Sequence, residues 1–238
     1  MKIHVLFSPL NAEELYFTGK TVVVIDVLRA TSVIVTAIKN GAKEITPIAS
    51  IEFALKASGS KVLLGGERNT NKIEGFNLGN SPSEYSKENV ENKSIIFFST
   101  NGSKAIVKAK FSKNLFICSF TNVKAVAEKL IQLNRDITIL CAGSEGMFCL
   151  EDTVCAGKII DEILTQKSDI EISDAGKVSK ILNDTYGDSL YEMLIECEHG
   201  KKLIANGYKD DIIFCSKLNT TNVIPSFKSG VIKLDKTS

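Results

Sequence analysis

The sequence predicts an α/β fold of three layers, α/β/α, with a mostly parallel or mixed sheet, a C-terminal helical stretch and a closing β-hairpin. Two observations carry most of this. Short β-branched runs alternate with amphipathic helical stretches through the first two thirds of the chain, the pattern of βαβ units. Several helical stretches stop at glycine, which supplies the left-handed residue that ends a helix. A third observation closes the fold: VIPSFKSGVIKL places two apolar runs around Lys228, Ser229 and Gly230, read as a hairpin added to a sheet edge.

Seven strands are expected first, at Ile3–Phe7, Thr21–Asp26, Glu44–Pro47, Val62–Leu64, Ser94–Ser99, Leu115–Cys118 and Ile137–Cys141. Helices fit between or after them at Ser32–Asn40, Ile51–Ala57, Ser83–Val90, Ser103–Lys110, Val123–Leu133 and Glu151–Thr165. Beyond Ser168 the stretches become more polar, with helices at Ala175–Thr185, Ser189–His199 and near Asp210–Cys215. The expectation is one domain over 1–238 with a helical appendage at about 168–217, since 238 residues suffice for one sizeable core.

Composition narrows the function classes. Twenty-nine basic against 28 acidic residues give a net charge of +1, so no global field steers the chain to nucleic acid or an acidic bilayer. No secretory leader or long apolar run is evident, and the six cysteines are dispersed without a CxxC pair, which points to a cytoplasmic protein. A homo-oligomer is one of the assembly states left open.

Ligands of open α/β sheets bind beyond the carboxyl ends of the strands, and these ends are unusually polar here. After the second strand come Asp26, Arg29 and Thr31; after the fourth comes GGER, with Glu67 and Arg68. A long loop follows to Asn80, with Ser81 as a helix cap and Pro82 behind it. The next strand ends in Ser99, Thr100, Asn101 and Gly102, a cluster of hydroxyls, amide and backbone N–H groups suited to phosphate or sulfonate. Ser119 and the CAGSEG segment end two further strands, and Glu151 and Asp152 open the helix that follows CAGSEG.

Only Arg29, Arg68 and Arg135 are arginine among the 29 basic residues, and two of the three lie at these strand ends. Arginine binds phosphate or carboxylate bidentately where lysine acts as a point charge. Asp26, Arg29, Glu67 and Arg68 are therefore the candidate catalytic residues. Asn80, Ser81, Ser99, Thr100, Asn101, Gly102 and Ser119 are the candidate substrate-binding groups. Asp26, Glu67 and one of Glu151 or Asp152 are candidates to converge on Mg²⁺, which takes carboxylates plus substrate oxygens and water. There is no GxxxxGK[ST] loop, and six residues after Cys118 stands Lys124 rather than the Arg of a cysteine phosphatase. His4 and His199 read as structural rather than catalytic.

In order and spacing, DVLRAT, GGER, EGFNLGNSP, STNGS, CSFTN and CAGSEG with LEDTVCAG resemble the 2-phosphosulfolactate phosphatase family over most of 22–157. The tail with Asp211, Cys215 and Val223–Pro225 is similar as well. The resemblance implies Mg²⁺-dependent hydrolysis of 2-phospho-3-sulfolactate to sulfolactate and phosphate, a step toward coenzyme M or in other sulfolactate metabolism. Either water or Asp26 could attack phosphorus. The competing expectations are a phosphatase of another small phosphohydroxy acid, an isomerase or phosphoryl transferase, and a metabolite sensor without turnover.

Overall fold

The computed structural model describes residues 1–10, 12–52, 54 and 62–235. The strands are β1 (Lys2–Leu6), β2 (Thr21–Ile25), β3 (Glu44–Ile48), β4 (Val62–Arg68), β5 (Asn71–Lys72), β6 (Ser94–Phe98), β7 (Asn114–Cys118), β8 (Ile137–Cys141), β9 (Glu171–Ile172), β10 (Pro225–Lys228) and β11 (Val231–Leu234). They form one mixed sheet in the order β5-β4-β6-β3-β11-β10-β7-β2-β8-β1-β9. The helices are α1 (Ala30–Lys39), α2 (Lys87–Val90), α3 (Gly102–Lys108), α4 (Val123–Leu133), α5 (Leu150–Leu164), α6 (Asp174–Tyr186), α7 (Leu190–Glu196), α8 (Glu198–Ala205) and α9 (Lys209–Cys215). The helix expected over Ile51–Ala57 falls largely outside the described residues.

Layering follows from burial on both faces of the sheet. In β2, TVVVI is buried at every position, as a central strand covered on two sides requires. Val23 and Ile25 face one core cluster with α4, α5 and the later helices; Val22 and Val24 face the other with α1 and α3. The stretch read as an appendage instead buries Leu190, Met193, Leu194, Leu203, Ile212 and Cys215 in the first of these clusters. Ser189–His199 is two helices rather than one, because Cys197 is extended (ψ 156) and its thiol accepts from the Gly200 amide to cap α8. Among the described residues no helix is long and apolar enough to cross a membrane.

The closing hairpin corrects an expectation. It lies in the middle of the sheet, β10 against β7 and β11 against β3, and not at an edge. Without it β3 and β7 would each present unpaired backbone groups, and Ile232 of the hairpin is fully buried. The true edges are the two-residue strands β5 and β9, too short to recruit another chain.

The three antiparallel junctions β3·β11, β11·β10 and β10·β7 set the two parallel halves in opposite senses. Successive strands rotate by about 20–25° each, so the five steps from β6 to β2 accumulate roughly 100° or more of twist. The carboxyl ends of β2, β4 and β6 meet in one place, where Asp26, Glu67 and Thr100 line one pocket.

Candidate active site

Asp26 ends β2 and is 7% exposed. Its Oδ1 accepts from the Ala30 amide at 3.1 Å, at the start of α1. Gly102, at the start of α3, passes so close that a Cβ there would lie 2.5 Å from Asp26 Oδ2 and 2.6 Å from the Ala30 methyl. Gly102→Ala is therefore expected to displace the carboxyl and lower kcat/KM by about a hundredfold, since a shift on the order of 1 Å carries such a cost. Steady-state kinetics alongside a thermal melt would separate this from unfolding.

Glu67, also buried, joins two loops. Its Oε1 accepts from the Thr100 amide at 2.6 Å, and Oε2 accepts from the Thr70 amide at 2.7 Å and the Thr100 hydroxyl at 3.1 Å. Gly66 makes this possible: at φ +133 it sits where a Cβ would be 1.8 Å from the Phe98 carbonyl, so only glycine lets β4 run this close to β6.

Arg29 is buried beside them. Nη1 meets Asp211 of α9 at 2.5 Å, Nη2 donates to the Thr70 carbonyl at 3.0 Å, and the guanidinium stacks 4.0 Å over Tyr208. The Ser81 hydroxyl donates to the other oxygen of Asp211. Arg29 is thus fixed by an internal partner while one side of it lines the pocket.

That pocket, about 30 Å³, is lined by Asp26, Leu28, Arg29, Glu67, Asn69, Thr70, Asn80, Thr100 and Asn101, with Ser144, Glu145, His199 and Lys202 also on its wall. Two of the lining residues, Thr70 and Asn80, each carry a buried side-chain oxygen, Oγ1 and Oδ1, without a hydrogen-bond partner. A buried polar atom left unpaired is costly, so this pair marks where a ligand completes the structure. Glu145 and Lys202 stand 3.8 Å apart on the same wall.

The 2-phosphosulpholactate phosphatase family matches residues 8–230. Proteins named probable 2-phosphosulfolactate phosphatase are similar along nearly their whole length. That of Clostridium tetani (strain Massachusetts / E88) is 40% identical over 236 residues, covering 98% of this chain and 100% of the relative. That of Caldanaerobacter subterraneus subsp. tengcongensis is 42% identical over 218 residues, 90% of each. That of Clostridium acetobutylicum is 37% identical over 235 residues, covering 98% of this chain and 100% of the relative.

The chain belongs to the 2-phosphosulfolactate phosphatase family. It is accordingly a phosphoric monoester hydrolase, and the pocket around Asp26 is its candidate active site.

Within this family member, the residues singled out from sequence divide by position. Asp26, Arg29, Glu67, Asn80, Thr100 and Asn101 line one pocket, with Gly102 against Asp26. Ser81 lies behind it, holding Asp211. Ser99 and Ser119 are elsewhere: Ser99 Oγ accepts from the Ser103 amide at 2.8 Å, and Ser119 closes a reciprocal cap with Asn122, so both hydroxyls serve helix starts. Arg68 is exposed and lines a neighbouring cavity instead.

Glu151 and Asp152 do not join Asp26 and Glu67 on the pocket wall. Asp152 accepts from the Val27 amide at 2.8 Å and the Gly143 amide at 3.1 Å, tying the turn after β2 to the loop after β8. Glu151 is buried against the Cys197 and Cys149 thiols. Burial pushes both carboxyls up, Asp152 well above its usual range with Asp26 and Glu151 adding repulsion. Burial also lifts Asp26 to about 7, with Glu67 and Glu151 contributing and the Ala30 amide opposing.

Sequence reasoning passed over Thr70, Glu145, His199 and Lys202 as pocket residues. His199 and Lys202 are three apart on α8, a spacing that puts both on one face and could have flagged them together. Burial, reinforced by Lys202 and Arg29, holds His199 below its ordinary value, so its ring is neutral at pH 7.

A hard cation fits this donor set. The buried Asp26 carboxyl, raised by burial and by Glu67 beside it, and an unpartnered Asn80 Oδ1 favour a bound positive charge. Among the described residues no three His, Cys, Asp or Glu side chains form a metal-holding group.

Proposed function

We propose that the chain hydrolyses 2-phospho-3-sulfolactate to 3-sulfolactate and inorganic phosphate, with Mg²⁺, in the cytoplasm, as a step of coenzyme M or other sulfolactate metabolism. The observation that carries this reading is the convergence of Asp26, Thr70 and Asn80 on one pocket, the last two each with a buried side-chain oxygen that lacks a partner. Asp26, Glu67 and Asn80 would hold the metal, which when bound supplies charge neutralisation at the phosphoryl oxygens.

The chain's own groups supply the rest. Arg29, held by Asp211 and the Thr70 carbonyl, is oriented before substrate arrives, so its charge is available without reorganisation. Lys202 adds a cation on the same wall. In-line attack forms one P–O bond as the ester P–O bond breaks, and the alkoxide of sulfolactate leaves with a proton. Water or the Asp26 carboxylate is the attacker, and the configuration at an isotopically chiral phosphorothioate separates them, since one in-line displacement by water inverts phosphorus and two successive displacements retain it. A volume of about 30 Å³ holds an ion or a water or two, so the pocket must widen to take the whole substrate.

Phosphate release from 2-phosphosulfolactate, phospholactate and phosphoglycolate, with Mg²⁺ and with chelator, tests the proposal. The expected result is release that favours the sulfonated substrate and stops with chelator. Release from none of them under any divalent metal would overturn it.

A further inference from the structure

We propose that Arg68 and Lys104 form a second anion subsite that selects the substrate's sulfonate group, in a cavity beside the phosphate pocket. The inference rests on the phosphosulfolactate reading above and deepens it. A cavity of about 360 Å³ is lined by Ser50, Glu52, Arg68, Phe98 and Lys104, and it shares Asn69 and Thr100 with the pocket around Asp26.

The local chain path serves both cavities. Side chains alternate along β4, so Glu67 turns into the buried site while Arg68 turns out toward the second cavity. The backbone then turns through positive φ at Asn69 (52°) and Thr70 (72°), which returns Thr70 to the wall of the first pocket. One short segment therefore presents metal- and phosphate-side groups to one cavity and a guanidinium to the next.

Charge supports an anionic occupant. Among the described residues neither Arg68 nor Lys104 makes an ion pair, although Lys104 lies 5.9 Å above the Phe98 ring. The acid on this wall is Glu52, which accepts the Ser50 hydroxyl. Two cations face one carboxylate, and arginine is otherwise scarce in this chain. The sulfonate is the group to expect there. It sits one carbon farther from the phosphorylated carbon than the carboxylate does, and as a permanently ionised three-oxygen anion it matches a guanidinium and an ammonium.

The test compares 2-phosphosulfolactate with phospholactate, which has a methyl group in place of the sulfonated carbon, in wild type, Arg68→Gln and Lys104→Gln. Loss of a charge-assisted contact predicts that kcat/KM for the sulfonated substrate falls roughly 10- to 100-fold more than for phospholactate, mainly through KM. Equal losses for the two substrates, or none, would overturn the subsite. Arg68 is exposed, so the variant keeps its thermal midpoint.

Should wild type hydrolyse neither compound, the substrate reading fails, and calorimetric titration of 3-sulfolactate against lactate decides the subsite by itself. Binding that needs the sulfonate and is lost in Arg68→Gln supports it. Binding of both compounds alike, or of neither, contradicts it.

Discussion

Asp26→Asn is expected to lower kcat by about a thousandfold, in the range associated with removing a positioned catalytic carboxylate, while stabilising the cation-free protein at pH 8. The second effect follows from burial. The carboxyl ionises near 3.8 when unfolded and at about 7 in the native protein. Between those values the native state holds a proton that the unfolded state has released. The contribution to stability is thus fully present below about pH 4 and is lost as pH rises through 7.

Above pH 7 the ionised carboxylate, whose burial the Ala30 amide offsets only in part, costs on the order of 4 kcal/mol relative to the neutral form. Asparagine removes that cost. Melts from pH 4 to 8 with chelator should show the wild-type midpoint falling relative to Asp26→Asn as pH rises. Taking the difference between the two proteins removes the common part of Asp152 and Glu151, which burial also raises. Mg²⁺ at pH 8 should restore the wild type and leave the variant unmoved. Parallel pH profiles for the two proteins would contradict the burial argument.

Asp211→Asn is expected to destabilise the protein by about 3–5 kcal/mol, because it leaves the buried Arg29 guanidinium without its counter-ion. Asparagine keeps one acceptor oxygen where Asp211 has two, so the separate bonds from Ser81 and Arg29 can no longer both be kept. Denaturant titration measures the loss as a fall in midpoint at constant slope. The pair Arg29→Met with Asp211→Leu should recover part of this stability but not activity, since the apolar replacement fills volume without presenting a cation to the pocket. A loss well under about 1 kcal/mol in Asp211→Asn would show that the pair does not hold α9 against the site.

Much of this arrangement was legible before any coordinates. The β2 and β8 runs, buried at every position, announce central strands, and the polar residues after β2, β4 and β6 announce a strand-end site. The hairpin's place in the sheet was not legible. Its Lys228, Ser229 and Gly230 turn looks the same at an edge or in a central gap, and the choice depends on which strands would otherwise lack partners.

Within the site, residue type at a strand end did not reveal direction. Ser99 and Asn101 are two apart, yet one hydroxyl caps a helix while the amide lines the pocket. Glu67 and Arg68 are adjacent and face different cavities. Asp211 is 182 positions from Arg29, and no local pattern announces such a pairing. Asp152 accepts from backbone amides 125 and 9 positions away, partners that sequence does not display.

The most direct test of the central claim is a crystal structure of the protein with Mg²⁺ and phosphate, the proposed product. The account predicts the ion and the phosphate in the pocket lined by Asp26, Thr70 and Asn80, with Thr70 Oγ1 and Asn80 Oδ1 each gaining a partner. Phosphate and metal bound elsewhere, with that pocket holding only water, would contradict it.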